Sequence, residues 1–216
     1  MSRSFALFAS VLFALVACAG ESGFAQSSRT PSTHAATPPP TGQAVATFAG
    51  GCFWCMESSL EAVPGVRDVL SGYTGGQLAG PSYEEVSSGR THHMESVRVI
   101  YDPQQIDYAH LLDVFWHNVD PTQNDGQFCD RGSQYRTAIF VANAEERRLA
   151  EASKARIQHE LGHPVVTEIR DAGPFWIAED YHQNYYRTNP DPYHRYRLGC
   201  GRDARLDQLW GAHAGH

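Results

Sequence analysis

Two cysteines three residues apart, Cys52 and Cys55 in "FAGGCFWCMES" (48–58), are the side chains of this sequence best suited to do chemistry. A thiolate can be a nucleophile, a metal ligand or a redox centre, and its surroundings decide which. Cys52 follows Gly50 and Gly51, where a helix is expected to begin. Free N–H groups and the positive end of the helix dipole favour an anion there, which lowers a thiol pKa. Cys55, at i+3, lies on the same side but deeper, where that field has faded. The spacing therefore favours Cys52 as the nucleophile. Phe53 and Trp54 offer an apolar wall for a methyl or thioether group, or else simply join the core.

Three uses of the pair compete. Zinc would need a second pair at fitting distance, and Cys129 and Cys200 stand far apart in the chain. A dithiol centre exchanging disulfides is a closer fit, but no thioredoxin-type βαβ pattern surrounds it. The third use is a thiol that is oxidised to a sulfenic acid and then resolved by a second cysteine. Elsewhere "HELGH" (159–163) matches the H-E-x-x-H pattern of zinc peptidases. Gly162 and Pro164 should end that helix before His163, so no metal site is expected. His92 and His93 diverge as neighbours in extended chain and read as a solvated turn; Cys129 reads as a small buried hydrophobe.

The elements that must hold these residues can be read from periodicity. Strands are expected at 44–48, 66–76, 95–102, 134–142 and 165–170. Val97, Val99 and Tyr101 share one side of the third. Helices are expected at 52–63, stopped by Pro64, and at 106–119, 143–161 and 175–186. Asn143 should cap the third helix, with Glu146 at the capping-box position. The segment after 186 reads as a long irregular tail wrapping the rest. With no glycine-rich phosphate loop after a strand, the pattern is that of an α+β sandwich.

At the start, the apolar run Phe5–Ala17 is too short to span a bilayer and reads as a secretory signal. It ends in "LVAC", which resembles the lipobox of bacterial lipoproteins, with Cys18 as the lipidated first residue; a competing cut lies after Ala25. Residues 1–18 are thus a signal peptide, 19–43 a Ser/Thr/Pro-rich linker, and 44–212 one domain. The expected location is the bacterial periplasm, with possible attachment to a membrane through Cys18. Twenty-four acidic against 17 basic residues, a net charge of −7, leave no basic face for nucleic acid. Four cysteines in an oxidising compartment usually mean structural disulfides, but a domain of this size does not need them.

The blocks "GGCFWCMES", "SGYTGG", "PSYEEVSSGRTHHMESVRVIYDP", "CDRGSQYRTAIF" and "YHQNYY", in this order, resemble the A-type methionine sulfoxide reductases, the peptide-methionine (S)-S-oxide reductases. The tail "YRLGCGRDARLDQLWG" resembles one branch of them. The resemblance implies a two-layer fold with a ferredoxin-like core and reduction of the S epimer of methionine sulfoxide, in proteins or free, without a cofactor or metal. On individual residues it implies Cys52 as the thiol attacking the sulfoxide sulfur and Glu95 as the acid protonating its oxygen. Tyr83, Asp130 and Tyr135 would bind that oxygen or an active-site water, and Phe53 and Trp54 would wall the S-methyl group. A sulfoxide oxygen is a poor leaving group, so a carboxylic acid kept neutral by burial suits the task. Many members have glycine where Cys55 stands, and Cys129 is an extra thiol. The resolving cysteine is therefore either Cys55 or Cys200, with relay through both open, and a thioredoxin-type donor would reduce the resulting disulfide. The protein is expected to be a monomer. Two rivals stay open: a thiol-disulfide oxidoreductase of exported proteins and a non-catalytic binding lipoprotein.

Overall fold

The alternating segments become strands and the 3.6-period segments helices in the structure, a computed structural model that describes residues 33–215. The signal segment, Cys18 and the first part of the linker lie outside the described residues. β1 (Ala44–Gly50) turns into α1 (Phe53–Glu61), and β2 (Val66–Thr74) runs out to the short α2 (Tyr83–Ser87). β3 (Met94–Tyr101) returns and leads to α3 (Tyr108–His117). A small hairpin, β4 (Gly126–Gln127) and β5 (Asp130–Arg131), precedes β6 (Thr137–Val141), the long α4 (Ala144–Leu161), β7 (Glu168–Asp171) and β8 (Trp176–Ile177). Three helices close the chain: α5 (Tyr185–Thr188), α6 (Pro190–Gly199) and α7 (Arg202–Trp210).

Six strands form one sheet in the order β7-β6-β1-β3-β2-β8, antiparallel except for the β6–β7 pair. Helices cover one face, giving the two-layer α+β sandwich with ferredoxin-like sheet topology. Strand alternation sends Phe48, Val97 and Val99 to that face, where they are buried with Leu60, Leu111, Phe115 and Trp116. Phe48 stacks on Phe115 with ring centroids 5.1 Å apart. Truncating such a side chain to alanine costs about 3–5 kcal/mol, so this layer anchors the strands that carry the site.

α4 is bounded as its sequence implies. The Asn143 side chain accepts from the Glu146 N–H at 2.9 Å, and Gly162 ends the helix at φ 64°. Its Glu146 carboxylate accepts from the Ala142 N–H, one residue before the cap. His163 thus lies outside the helix that holds His159, and both are exposed.

Several expectations need correction. The tail is helical, not irregular: α6 buries Tyr193 and Arg197, and α7 buries Arg202, Leu206 and Trp210, all at i, i+4 spacing. Two of those five buried positions are arginines, which hides the period from a hydrophobic pattern. Residues 175–186 do not form a helix, because Trp176 and Ile177 pair with β2 and become the sheet edge. That pairing needs Gly72, where a Cβ would stand 2.3 Å from the Trp176 carbonyl oxygen. The outer edge of β8 is covered by part of the expected linker: Ile177 N–H donates to His34 and Ala36 N–H to the Phe175 carbonyl. The expected strands at 134–142 and 165–170 are shorter or shifted, since Ser133–Tyr135 winds into a 3₁₀ turn and β7 begins only at Glu168. His93 is buried, not solvated; its Nδ1 accepts from the Gly76 N–H at 3.2 Å.

Candidate active site

The Gly50–Gly51 turn delivers Cys52 to the start of α1 for steric reasons. A Cβ at Gly50 would meet the Met56 sulfur at 2.4 Å, and Gly51 takes φ +81° with Gln127 close against it. Cys52 occupies the N-cap position of α1. Glu95 shares its side of β3 with Val97 and Val99, so strand alternation aims it at the same point. One of its oxygens accepts from the Phe53 N–H at 3.1 Å. Glu95 is only 3% exposed, and burial pushes its pKa up to about 8. The carboxyl is therefore mainly protonated at neutral pH.

Cys52, Phe53, Trp54 and Glu95 line a cavity of about 60 Å³. Tyr83, Asp130, Tyr135 and Tyr196 complete its wall. Every nucleophile, acid, hydroxyl and wall residue singled out in the sequence thus meets here, and Tyr196 joins them unannounced. The Tyr83 and Tyr135 hydroxyls hydrogen-bond each other. Burial pushes Tyr83 up to about 12 and raises Tyr135 further, so both remain hydrogen-bond donors. Glu179 fixes Tyr83 from behind, accepting from its N–H at 2.8 Å and from the Tyr73 hydroxyl at 2.9 Å. Asp130, raised by burial, accepts from the Tyr196 hydroxyl.

The aromatic wall is held as firmly. Trp54 stacks on Tyr185 at 3.8 Å and 11°, and its indole N–H donates to His182 Nδ1 at 3.2 Å. Burial lowers the His182 pKa to about 4, which keeps the ring neutral and Nδ1 free to accept. The signal for these helpers was partly visible: His182 and Tyr185 belong to "YHQNYY", while Tyr193, Tyr196 and Cys200 repeat at helical spacing in the tail taken as irregular.

The four cysteines of the domain divide into two pairs. Cys52 and Cys55 are free and buried, and their thiols hydrogen-bond each other. Cys129 and Cys200 form a disulfide with Cα atoms 4.9 Å apart. Cys129 is exposed, contrary to its reading as a buried hydrophobe; the hairpin presents it to the end of α6. The charge on the buried pair also differs from the helix-start expectation. Burial, then Cys55, pushes Cys52 well up. The Cys52 hydrogen bond, then Arg202 and Arg197, draws Cys55 down to about 6. Burial thus disfavours the anion on Cys52, which faces the cavity, while the neighbouring arginines favour it on Cys55.

Among the described residues, ligand atoms of Cys129, Asp130 and Cys200 lie within 4.8 Å of one another. The two sulfurs are bonded to each other and so are not available as thiolate ligands.

Comparison with known proteins agrees with this geometry. The family model described as peptide methionine sulfoxide reductase matches residues 44–214. The chain is 48% identical over 169 residues to peptide methionine sulfoxide reductase MsrA of Bacillus licheniformis, covering 77% of this chain and 93% of the relative. It is 52% identical over 167 residues to MsrA 2 of Caulobacter vibrioides, covering 77% and 85%. Mxr1 from Saccharomyces cerevisiae in reduced form superposes with a TM-score of 0.68 at 30% identity, over 72% of this chain and 90% of that one. The chain belongs to the peptide methionine sulfoxide reductase family.

Proposed function

We infer that the protein reduces methionine (S)-S-oxide to methionine by attack of Cys52 on the sulfoxide sulfur. The observation that carries this reading is a thiol and a neutral carboxylic acid, Cys52 and Glu95, lining one small cavity walled by Phe53 and Trp54. As Cys52 Sγ attacks, the Glu95 proton passes to the sulfoxide oxygen, where negative charge develops. The hydroxyls of Tyr83 and Tyr135 donate to the same oxygen, and Asp130 orders its surroundings. The hydrogen bond to Cys55 gives the Cys52 proton a place to go. Methionine leaves and Cys52 becomes a sulfenic acid. A pKa near the operating pH suits an acid that must give up its proton and regain it each cycle.

Resolution falls first to Cys55, whose thiol already touches Cys52. Attack on the sulfenic sulfur releases water and leaves a Cys52–Cys55 disulfide. Reduced Cys200 can pass electrons inward from the surface, where the Cys129–Cys200 pair is open to a thioredoxin-type donor. The Phe5–Ala17 run and "LVAC" support export to the periplasm with Cys18 lipidated. Labelling with a fatty acid should mark the wild type and not Cys18→Ser.

The decisive experiment mixes the reduced protein with a methionine-sulfoxide peptide of each sulfur configuration. One methionine per enzyme from the S epimer, no product from Cys52→Ser, and retained single turnover in Cys55→Ser are expected. Product from Cys52→Ser would sink the mechanism. Disulfide exchange with unimpaired rate in Glu95→Gln, and no sulfoxide reduction, would revive the thiol-disulfide oxidoreductase.

A further inference from the structure

Arg202 is 2% exposed, among the largest fully buried side chains of the protein. A guanidinium in such a place needs a compensating charge, because its hydration has been lost. The neighbouring arginines of the tail have theirs. Arg197 meets Asp203 at 2.6 Å, and Arg205 meets Asp120 at 2.7 Å. Among the described residues no carboxylate stands within ion-pairing distance of Arg202. Its Nη2 donates to the Asn118 carbonyl at 2.6 Å, to the Gly50 carbonyl at 3.3 Å and toward the Met56 sulfur at 3.3 Å. Its Nε has no partner, and the group lies 4.4 Å from the Phe128 ring centroid. Gly50 and Met56 flank the Cys52–Cys55 segment on both sides.

We propose that Arg202 is the counter-cation of the Cys52/Cys55 pair, a positioning residue that α7 carries under the start of α1 to hold one negative charge on the two sulfurs. The other groups facing the pair do not supply this. Glu95 and Asp130 carry acid groups, Asp130 raised by burial though Arg202 also acts on it, and Tyr83, Tyr193 and Tyr196 are hydroxyls kept protonated by burial. Arg197 is already neutralised by Asp203. Arg202 precedes Arg197 in drawing Cys55 down, after the hydrogen bond from Cys52. In this arrangement a segment far along the chain, adjacent to Cys200, sets the reactivity of the thiols near its beginning. The assignment rests on the reading of Cys52 as the attacking thiol.

The test measures alkylation of the reduced full-length protein by iodoacetamide as a function of pH, with mass spectrometry locating the label on Cys52 and Cys55. Arg202→Met should shift the inflection up by about one pH unit and slow labelling near neutrality about tenfold. Arg202→Lys, which keeps the charge, should restore most of the rate. A folded Arg202→Met protein, judged by its circular dichroism and thermal midpoint, with a wild-type inflection overturns the proposal. A second measurement does not depend on that variant folding. A thiolate held below its ordinary pKa adds stability that is lost as pH falls through the folded value. Reduced wild type should therefore gain unfolding free energy over Cys52→Ser/Cys55→Ser as pH rises from about 6 toward 9. A flat difference across that range overturns the proposal too. Neither readout needs a sulfoxide, so an Arg202-dependent inflection in a protein that reduces none would sink the enzymatic reading and leave this one standing.

Discussion

The two cysteine pairs of this domain have the same elements and opposite chemistry. Cys52 and Cys55 sit at the start of α1 beneath α6 and α7, shielded from water, with the guanidinium of Arg202 bonded to backbone beside them. Cys129 and Cys200 join a hairpin to the end of α6 at the surface, and are bonded to each other. The difference teaches that burial keeps the inner thiols free beside a cation and an acid, while proximity at an exposed seam pairs the outer ones. The inner pair keeps a polarised thiol facing a cavity; the outer pair ties the tail that forms part of that cavity's wall.

The sharpest break between the pairs is Cys52→Ser against Cys129→Ser. Loss of Cys52 should remove single-turnover sulfoxide reduction by more than about 10³-fold, whereas Cys129→Ser should leave it unchanged. Equal losses would mean that both pairs take part in the first chemical step.

Next in size is Glu95→Gln, which should slow single turnover about 10²–10⁴-fold by removing the proposed proton donor. In the wild type the same group should make activity fall as pH rises through about 8. The folded protein also holds this proton more tightly than the unfolded chain, so Glu95 costs stability as pH rises from about 4.5 toward 8. Urea unfolding of Glu95→Gln should show a flatter slope over that range; an unchanged slope would place the carboxyl in water.

For the outer pair the expected effect is on stability. The disulfide spans 71 residues, and its loss in Cys200→Ser should lower unfolding free energy by about 2–4 kcal/mol. Denaturant titration of the oxidised protein checks this, and equal midpoints for variant and wild type would deny the tie any structural weight. Between the pairs, Tyr196→Phe removes the hydroxyl that α6 gives to Asp130 and should cost about 0.5–1.5 kcal/mol in transition-state stabilisation, seen in kcat/KM. Smallest of all, His159→Ala should change stability by less than about 0.5 kcal/mol, and its turnover should be indifferent to chelators.

How much of the site was legible depends on where each residue lies. Cys52 could be placed by the glycine pair before it, whereas Glu95, at the very start of its strand, was brought forward by family resemblance. Asp130 and Tyr135 lie in a two-residue strand and a single 3₁₀ turn, elements too short to carry a period, so only family resemblance brought them forward. Tyr196 escaped because the tail's buried stripe includes arginines, which no hydrophobic pattern counts as interior. The Cys129–Cys200 bond is a contact across 71 residues, and spacing alone does not choose among possible partners. Even the helix-start rule for Cys52 was incomplete, since it concerns the local dipole and omits the burial that dominates at this site.

By itself the sequence determined the layered α+β scaffold and the α1 start at Cys52, because these follow from local sterics, capping and periodicity. Only the tertiary structure decided which thiols are paired, how burial and arginines bear on the inner pair, and that α6 adds Tyr196 to the cavity wall. Those properties depend on dielectric environment and on contacts between distant segments, and neither is a property of any short stretch of chain.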